Sequence, residues 1–295
     1  MGTDLREASS EAREIFALAD EITGLPITRL CAEGPLGRLT ATDVAQPAVV
    51  ATSLAALAVL QQQLHVEPGA VAGHSVGEFV AYVAAGALDT EACMRLVHAR
   101  AQAMAAACER VDGGMAAVVG LDERSLRSVC EAASENGSSV EVANLNSPGQ
   151  LIVSGARDAI QRAADQAKAA GARRVLPLNV GGPFHSVYMR PAATTLARAL
   201  EKAEIGHARI PVVVNASAEA SQEPAALRRE LEVQVYSPVR WIETLEKLAD
   251  LGCDRFVEVG PGQVLAGLIR RTLSDVNVAS FGALADLQAV KALLS

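Results

Sequence analysis

Ala70-Val71-Ala72-Gly73-His74-Ser75-Val76-Gly77-Glu78-Phe79 is the stretch from which the fold is read. It looks like a short apolar strand that enters a helix through a turn bracketed by glycines. Gly73-His74-Ser75-Val76-Gly77 fits the pattern G-x-S-x-G. In that pattern the serine sits on strained backbone at a sharp strand-to-helix turn, and its hydroxyl projects from a sheet. Gly73 and Gly77 are both expected to let neighbouring backbone pass without a Cβ clash. The helix start supplies an N–H to a developing oxyanion. Ser75 is therefore the candidate nucleophile. The bare pattern also arises by chance; the strand before it and the helix after it are what favour the elbow.

The rest of the chain supplies a frame for such an elbow. Upstream, the periodicity predicts a surface helix over 4–21, a polar stretch around Gly34, Pro35 and Gly37, and a long apolar helix over 45–64 that stops at His65-Val66-Glu67-Pro68-Gly69. A helix over 89–110 follows the elbow. From Asp112-Gly113-Gly114 the pattern changes to strand 115–120, helix 123–135, strands 139–145 and 150–155, helix 157–171 and strand 173–180. That order is βαββαβ, the ferredoxin-like arrangement. After Gly181-Gly182 come helix 187–203, strand 211–215, helices 223–233 and 238–251, strand 255–259, helix 263–273, strand 276–280 and helix 284–294. Alternating strands and helices predict an α/β fold with a parallel sheet covered on both faces. The domain reading is a large α/β subdomain from 1–112 and 182–295, with 113–181 as a small insertion.

Composition narrows the function. The chain has 295 residues, half of them hydrophobic (50%), so it can bury a sizeable core. Lys+Arg 26 against Asp+Glu 34 gives a net charge of −8, which argues against a nucleic-acid partner. Only one Trp, three Tyr and five Phe are present, too few for stacked-base recognition. The five cysteines (Cys31, Cys93, Cys108, Cys130, Cys253) form no C-x-x-C pair and no readable metal or disulfide framework. The opening residues are polar and acidic, unlike a signal peptide. The longest apolar stretch, Pro47 to Leu60, is too short for a bilayer. A soluble, cytoplasmic protein with no membrane partner is expected.

Several further blocks extend the likeness beyond one motif. Arg95-Leu96-Val97-His98-Ala99-Arg100, Asn144 to Gln150, Gly182-Pro183-Phe184-His185-Ser186, Gln234-Val235-Tyr236-Ser237-Pro238-Val239-Arg240-Trp241 and Glu258-Val259-Gly260-Pro261-Gly262 all stand in order after the elbow. Together they resemble the malonyl-CoA:acyl-carrier-protein transacylases and polyketide-synthase acyltransferase domains, over essentially the whole chain. That resemblance implies an α/β-hydrolase-like large subdomain carrying a ferredoxin-like insertion, the arrangement read independently above.

The resemblance also assigns roles. Ser75 becomes the acyl acceptor and His185 its base, where the residues alone allow an ordinary loop histidine. Gln234 offers its backbone carbonyl to orient the His185 ring, so that a Ser–His dyad without an acid is expected. Arg100, otherwise a solvated helix arginine, becomes a planar clamp for the free carboxylate of malonate. His74 lines the acyl pocket or is simply packed. Asn146 shapes the site or merely turns the chain in Asn-Ser-Pro-Gly. Gly260-Pro261-Gly262 borders the site or forms a tight connection. Phe184, before His185, goes with malonyl over methylmalonyl, since a ring there crowds an α-methyl branch. The implied reaction is ping-pong malonyl transfer from malonyl-CoA to the phosphopantetheine thiol of an acyl carrier protein, with no metal or redox cofactor. Arg173, Arg174, Arg190 and Arg240 are candidates for docking that acidic partner.

One departure is plain. The family begins with an apolar strand and Gly-Gln-Gly-Ser-Gln, neither of which is in this sequence. Val76 then supplies the one visible oxyanion donor, and the sheet is expected to show two free edges. Either Met1 is an internal methionine of a longer chain, or the strand is truly missing and the protein is impaired or borrows a strand from elsewhere; a truncated relative kept as a docking or structural partner is one alternative function. An acyl hydrolase or thioesterase of the same fold is the other alternative; it would need no carboxylate clamp.

Overall fold

Nine strands thread through the computed structural model, which describes residues 1–64 and 67–295. They are β1 (Val71–Ala72), β2 (Gly113–Val119), β3 (Val140–Ser147), β4 (Gln150–Ala156), β5 (Arg174–Pro177), β6 (Val212–Val213), β7 (Ala220–Ser221), β8 (Arg255–Val259) and β9 (Asn277–Phe281). His65 and Val66 of the expected stop signal lie outside the described residues.

β2 to β5 form one antiparallel sheet in the order β3-β4-β2-β5. With helices Glu123–Ala133 and Arg157–Ala169 this is the βαββαβ pattern read from the sequence. Asp122 opens the first of these helices by accepting the Ser125 N–H at 2.8 Å. Leu126, Val129, Cys130 and Ala133 then line its buried face, and Ala159, Ala163 and Ala167 line that of the second. Small side chains at four-residue spacing let that helix lie close on the sheet.

The large part is built round one central helix, Thr42–Leu64. It is long and apolar enough to cross a membrane, contrary to the expectation from Pro47–Leu60, but 72% of its most apolar window is buried inside the protein. Val50, Leu54 and Val59 are each at most 2% exposed, worth roughly 1.5–3 kcal/mol apiece against water. Helices Ser10–Thr23 and Thr90–Cys108 pack against it.

Several expectations need correction. The helix over 4–21 is two, Thr3–Ala8 and Ser10–Thr23, because the Ser9 side chain caps the second by accepting the Ala12 N–H. The polar stretch contains helices Ile27–Glu33 and Leu36–Leu39; Ile27, Leu30 and Cys31 make one buried stripe. The strand 211–215 shrinks to β6. The single parallel sheet is two among the described residues: β1 pairs with β6 in parallel, with β7 antiparallel beyond it, and β8 pairs in parallel with β9. Among the described residues, β1 and β8 each bond along one edge, in line with the two free edges expected from the sequence.

The two parts are stitched together beside the elbow. β3 bridges in parallel to the segment before helix Trp241–Asp250 through Asn144 and Val239. The Leu145 N–H donates to the Val239 carbonyl and the Val239 N–H to the Ala143 carbonyl, each at 2.9 Å.

Candidate active site

The elbow has the strain its sequence predicts. Ser75 has φ +53°, a left-handed conformation that costs a non-glycine residue about 1–3 kcal/mol. Gly73 is obligatory: a Cβ there would lie 2.1 Å from the Gly77 carbonyl group. Gly77 is not, since a Cβ on it meets nothing within 4 Å. Helix Gly77–Ala84 starts directly after the turn. The N–H groups of Gly77 and Glu78 are taken by the carbonyls of His74 and Ser75. That of Val76 has no acceptor among the described residues, so it is free for an oxyanion.

His185 meets the nucleophile from 110 residues away: its Nε2 is 2.7 Å from Ser75 Oγ. Its Nδ1 is 2.8 Å from the Gln234 carbonyl and 3.1 Å from that of Ser237. Carbonyls only accept, so Nδ1 carries the proton and Nε2 is left to accept from Ser75. Like Ser75, His185 has a positive φ, +56°. Burial, with the Arg100 charge adding to it, pushes its pKa down to about 3. The ring is a neutral base throughout the physiological range.

Arg100 is not a solvated arginine; it is 2% exposed. Nη2 donates to Ser75 Oγ at 3.0 Å and to Gln234 Oε1 at 2.9 Å, and Nη1 donates to Gln46 Oε1. These partners are all neutral oxygens, and Nε is buried without one among the described residues. Burial lowers its pKa to about 10. A guanidinium so placed is a charge awaiting an anion.

His74 Nε2 is 2.9 Å from Asn146 Oδ1, and its ring meets Trp241 edge-on at 5.3 Å between centroids. This contact crosses between the two parts of the protein beside Ser75, and Asn146 lies on β3 ahead of the Pro148-Gly149 turn, not in it. Phe184 packs its ring on Met115, Ala117, Ala143 and Ile152 of the small sheet. Gly260-Pro261-Gly262 is a tight connection, for a Cβ on Gly260 would lie 2.3 Å from Ser53 Oγ. Pro261 and Gly262 line a separate open cleft of about 430 Å³ with Met1 to Asp4. Of the four arginines, Arg240 is paired with Glu243. Arg173, Arg174 and Arg190 are exposed, and Arg190 stacks over Tyr236 at 4.6 Å.

Four side chains beneath the elbow escaped the sequence reading. Asn215 Oδ1 accepts the Ser75 N–H and Asn215 Nδ2 donates to the Gly73 carbonyl, both at 2.6 Å. Glu78 Oε2 accepts the Asn215 N–H at 3.1 Å, and Glu78 Oε1 lies 3.2 Å from the Tyr82 hydroxyl. The Tyr82 hydroxyl also donates to the Leu227 carbonyl at 2.9 Å. Burial, reinforced by Glu230, pushes the Glu78 pKa up to about 8. Gln46 is the fourth, holding Arg100 from the central helix.

Known proteins share this whole frame. The acyl transferase domain family matches residues 1–289. The malonyl CoA-acyl carrier protein transacylase of Bacillus subtilis is 41% identical over 271 residues, 92% of this chain and 85% of that protein. Its counterpart in Escherichia coli K12 is 39% identical over 280 residues, 95% of this chain and 90% of that protein. Among solved structures, the transacylase of Coxiella burnetii superposes with a TM-score of 0.95 at 34% identity, covering 100% of this chain and 93% of that one. A malonyl-transacylase solved in complex with its type II polyketide acyl-carrier protein gives a TM-score of 0.94 at 38% identity, with 100% and 94% covered. With a strained serine, a histidine on it and relatives matched along nearly their full length, the chain belongs to the acyl transferase domain family.

Proposed function

We propose that the protein transfers a malonyl group from malonyl-CoA to the phosphopantetheine thiol of an acyl carrier protein, through a malonyl ester on Ser75. One observation carries the choice of substrate: Arg100 is buried beside Ser75 Oγ, and its partners among the described residues are all neutral. A carboxylate at the far end of the acyl group would meet this charge through two parallel hydrogen bonds. An acetyl group leaves it uncompensated. An acyl hydrolase has no use for it.

His185 Nε2 takes the proton as Ser75 Oγ attacks the thioester carbon. The oxyanion then faces the Val76 N–H, which the elbow fixes in advance. As the C–S bond breaks, the proton passes from His185 to the departing thiolate of CoA. The carrier thiol next gives its proton to His185, attacks the ester carbonyl and leaves as malonyl thioester, and Ser75 Oγ recovers a proton from the imidazolium. The chemistry is redox-neutral and requires no metal. His74, Asn146 and Phe184 close the pocket around the acyl group, residues 113–181 forming its inserted wall. Arg173, Arg174 and Arg190 are the free cations for an acidic carrier. A cytoplasmic setting fits the five free cysteines, three of them buried.

The test is intact mass after mixing with malonyl-CoA. The parent should gain one malonyl group and Ser75→Ala none. A Ser75→Ala chain that still gains it removes Ser75 from the mechanism.

A further inference from the structure

We infer that Asn215 is a positioning residue that clamps the strained elbow, holding Ser75 and the Val76 N–H in register for attack. The inference rests on the acyl-serine reading above. Its basis is a pair of hydrogen bonds from one side chain to the two peptide groups that flank His74. The Asn215 amide accepts from the Ser75 N–H and donates to the Gly73 carbonyl, both at 2.6 Å. Those are the groups that a left-handed serine turns away from regular strand or helix partners. The side chain is fully buried, so water cannot replace it at either end.

The clamp is itself anchored on both sides. The Asn215 N–H donates to Glu78 Oε2 at 3.1 Å, and the Asn215 carbonyl accepts the Arg240 N–H at 3.1 Å. The Gln234 amide reaches the Ser75 carbonyl at 3.2 Å and Glu78 Oε2 at 3.4 Å. The serine peptide is therefore held at its N–H by Asn215 and at its carbonyl by Gln234. None of the Arg100 hydrogen bonds involves Asn215. Asn215 thus holds the serine peptide without touching the carboxylate grip, which makes its contribution separable in kinetics.

The test is single-turnover acylation of Ser75 by malonyl-CoA, with rates taken per folded molecule from circular dichroism and melting. Asn215→Ala should acylate about 10²-fold more slowly, the scale expected of a misplacement near 1 Å, with KM for malonyl-CoA within about threefold because the carboxylate grip is untouched. Asn215→Asp keeps the shape and the acceptor but not the donor to Gly73, and should also be slow. If the alanine chain does not fold, Asn215→Ser, with a shorter hydrogen-bonding arm, is read in the same way and should lose about tenfold. A folded variant that acylates within about threefold of the parent overturns the clamp, as does a matching rise in KM that accounts for the whole loss. Absence of any acyl-serine in the parent would instead overturn the proposed function.

Discussion

Replacing Gly73 by alanine should disable the nucleophile while the same change at Gly77 should not, although the two glycines look equivalent in the motif. A Cβ on Gly73 lies 2.1 Å from both the carbon and the oxygen of the Gly77 carbonyl and 2.4 Å from the Glu78 nitrogen. Unstrained carbon contacts need about 3.5–4.0 Å, so the start of helix Gly77–Ala84 must retreat by more than about 1 Å. That segment follows directly on the Val76 N–H and carries Glu78. A shift of about 1 Å near reacting atoms costs on the order of 10²-fold in rate, and the overpacking costs about 1–3 kcal/mol of stability. A Cβ on Gly77 meets nothing within 4 Å, and alanine is the better helix former by up to about 1 kcal/mol. Quenched single-turnover acylation and thermal melting on both variants decide the matter. Gly73→Ala should acylate on the order of 10²-fold more slowly and melt several degrees lower; Gly77→Ala should stay within about twofold and melt no lower than the parent. Equal damage at the two positions, or none at Gly73, would refute the packing account of the turn.

Arg100→Ala should cut malonyl transfer by on the order of 10²-fold or more while acetyl transfer holds within about tenfold, the loss of two charge-assisted bonds. Arg100→Lys should not restore it, because a point charge lacks the planar fork; parallel assays with the two thioesters check both. The pH dependence of stability contains two opposed contributions. The His185 pKa is depressed from 6.5 to about 3 in the folded chain, so its contribution is present above 6.5 and lost as pH falls toward 3. The Glu78 pKa is raised from 4.5 to about 8, so its contribution is present below 4.5 and lost as pH rises toward 8. Glu78→Gln should therefore gain in melting temperature relative to the parent between pH 5 and 8. His185→Gln should gain relative to the parent as pH falls from 7 to 4. A flat difference in either series removes that group from the account.

The elbow was legible because its signal is local: five residues at fixed spacing between an apolar strand and a helix. The βαββαβ insertion was legible because its strands and helices are long enough to show their periods. What stayed hidden depends on distance along the chain. Asn215 closes an apolar run and reaches a serine 140 residues away, and nothing around it in sequence marks that contact. Gln46 sits in a helix whose apolar surround is read as core. β1 and β6 pair over two residues each, too few for alternation to show. The resemblance placed Ser75, His185, Arg100 and Gln234, and the structure joins all four in one connected set of hydrogen bonds. It did not reveal that the Gln234 side chain, as well as its carbonyl, serves the site. Gly77 shows the opposite error, a motif position whose expected steric role the folded chain does not need.

Two carbonyls hold the far side of the His185 ring where a carboxylate could have stood. Dipoles orient an imidazole without making it a strong proton acceptor. Free thiols surrender their proton near pH 8.5, whereas bulk water holds its own about seven orders of magnitude more tightly. Of the two acceptors that could relieve this serine of its acyl group, sulfur asks far less of so weak a base than a solvent molecule does, and the partition tilts toward the incoming pantetheine arm.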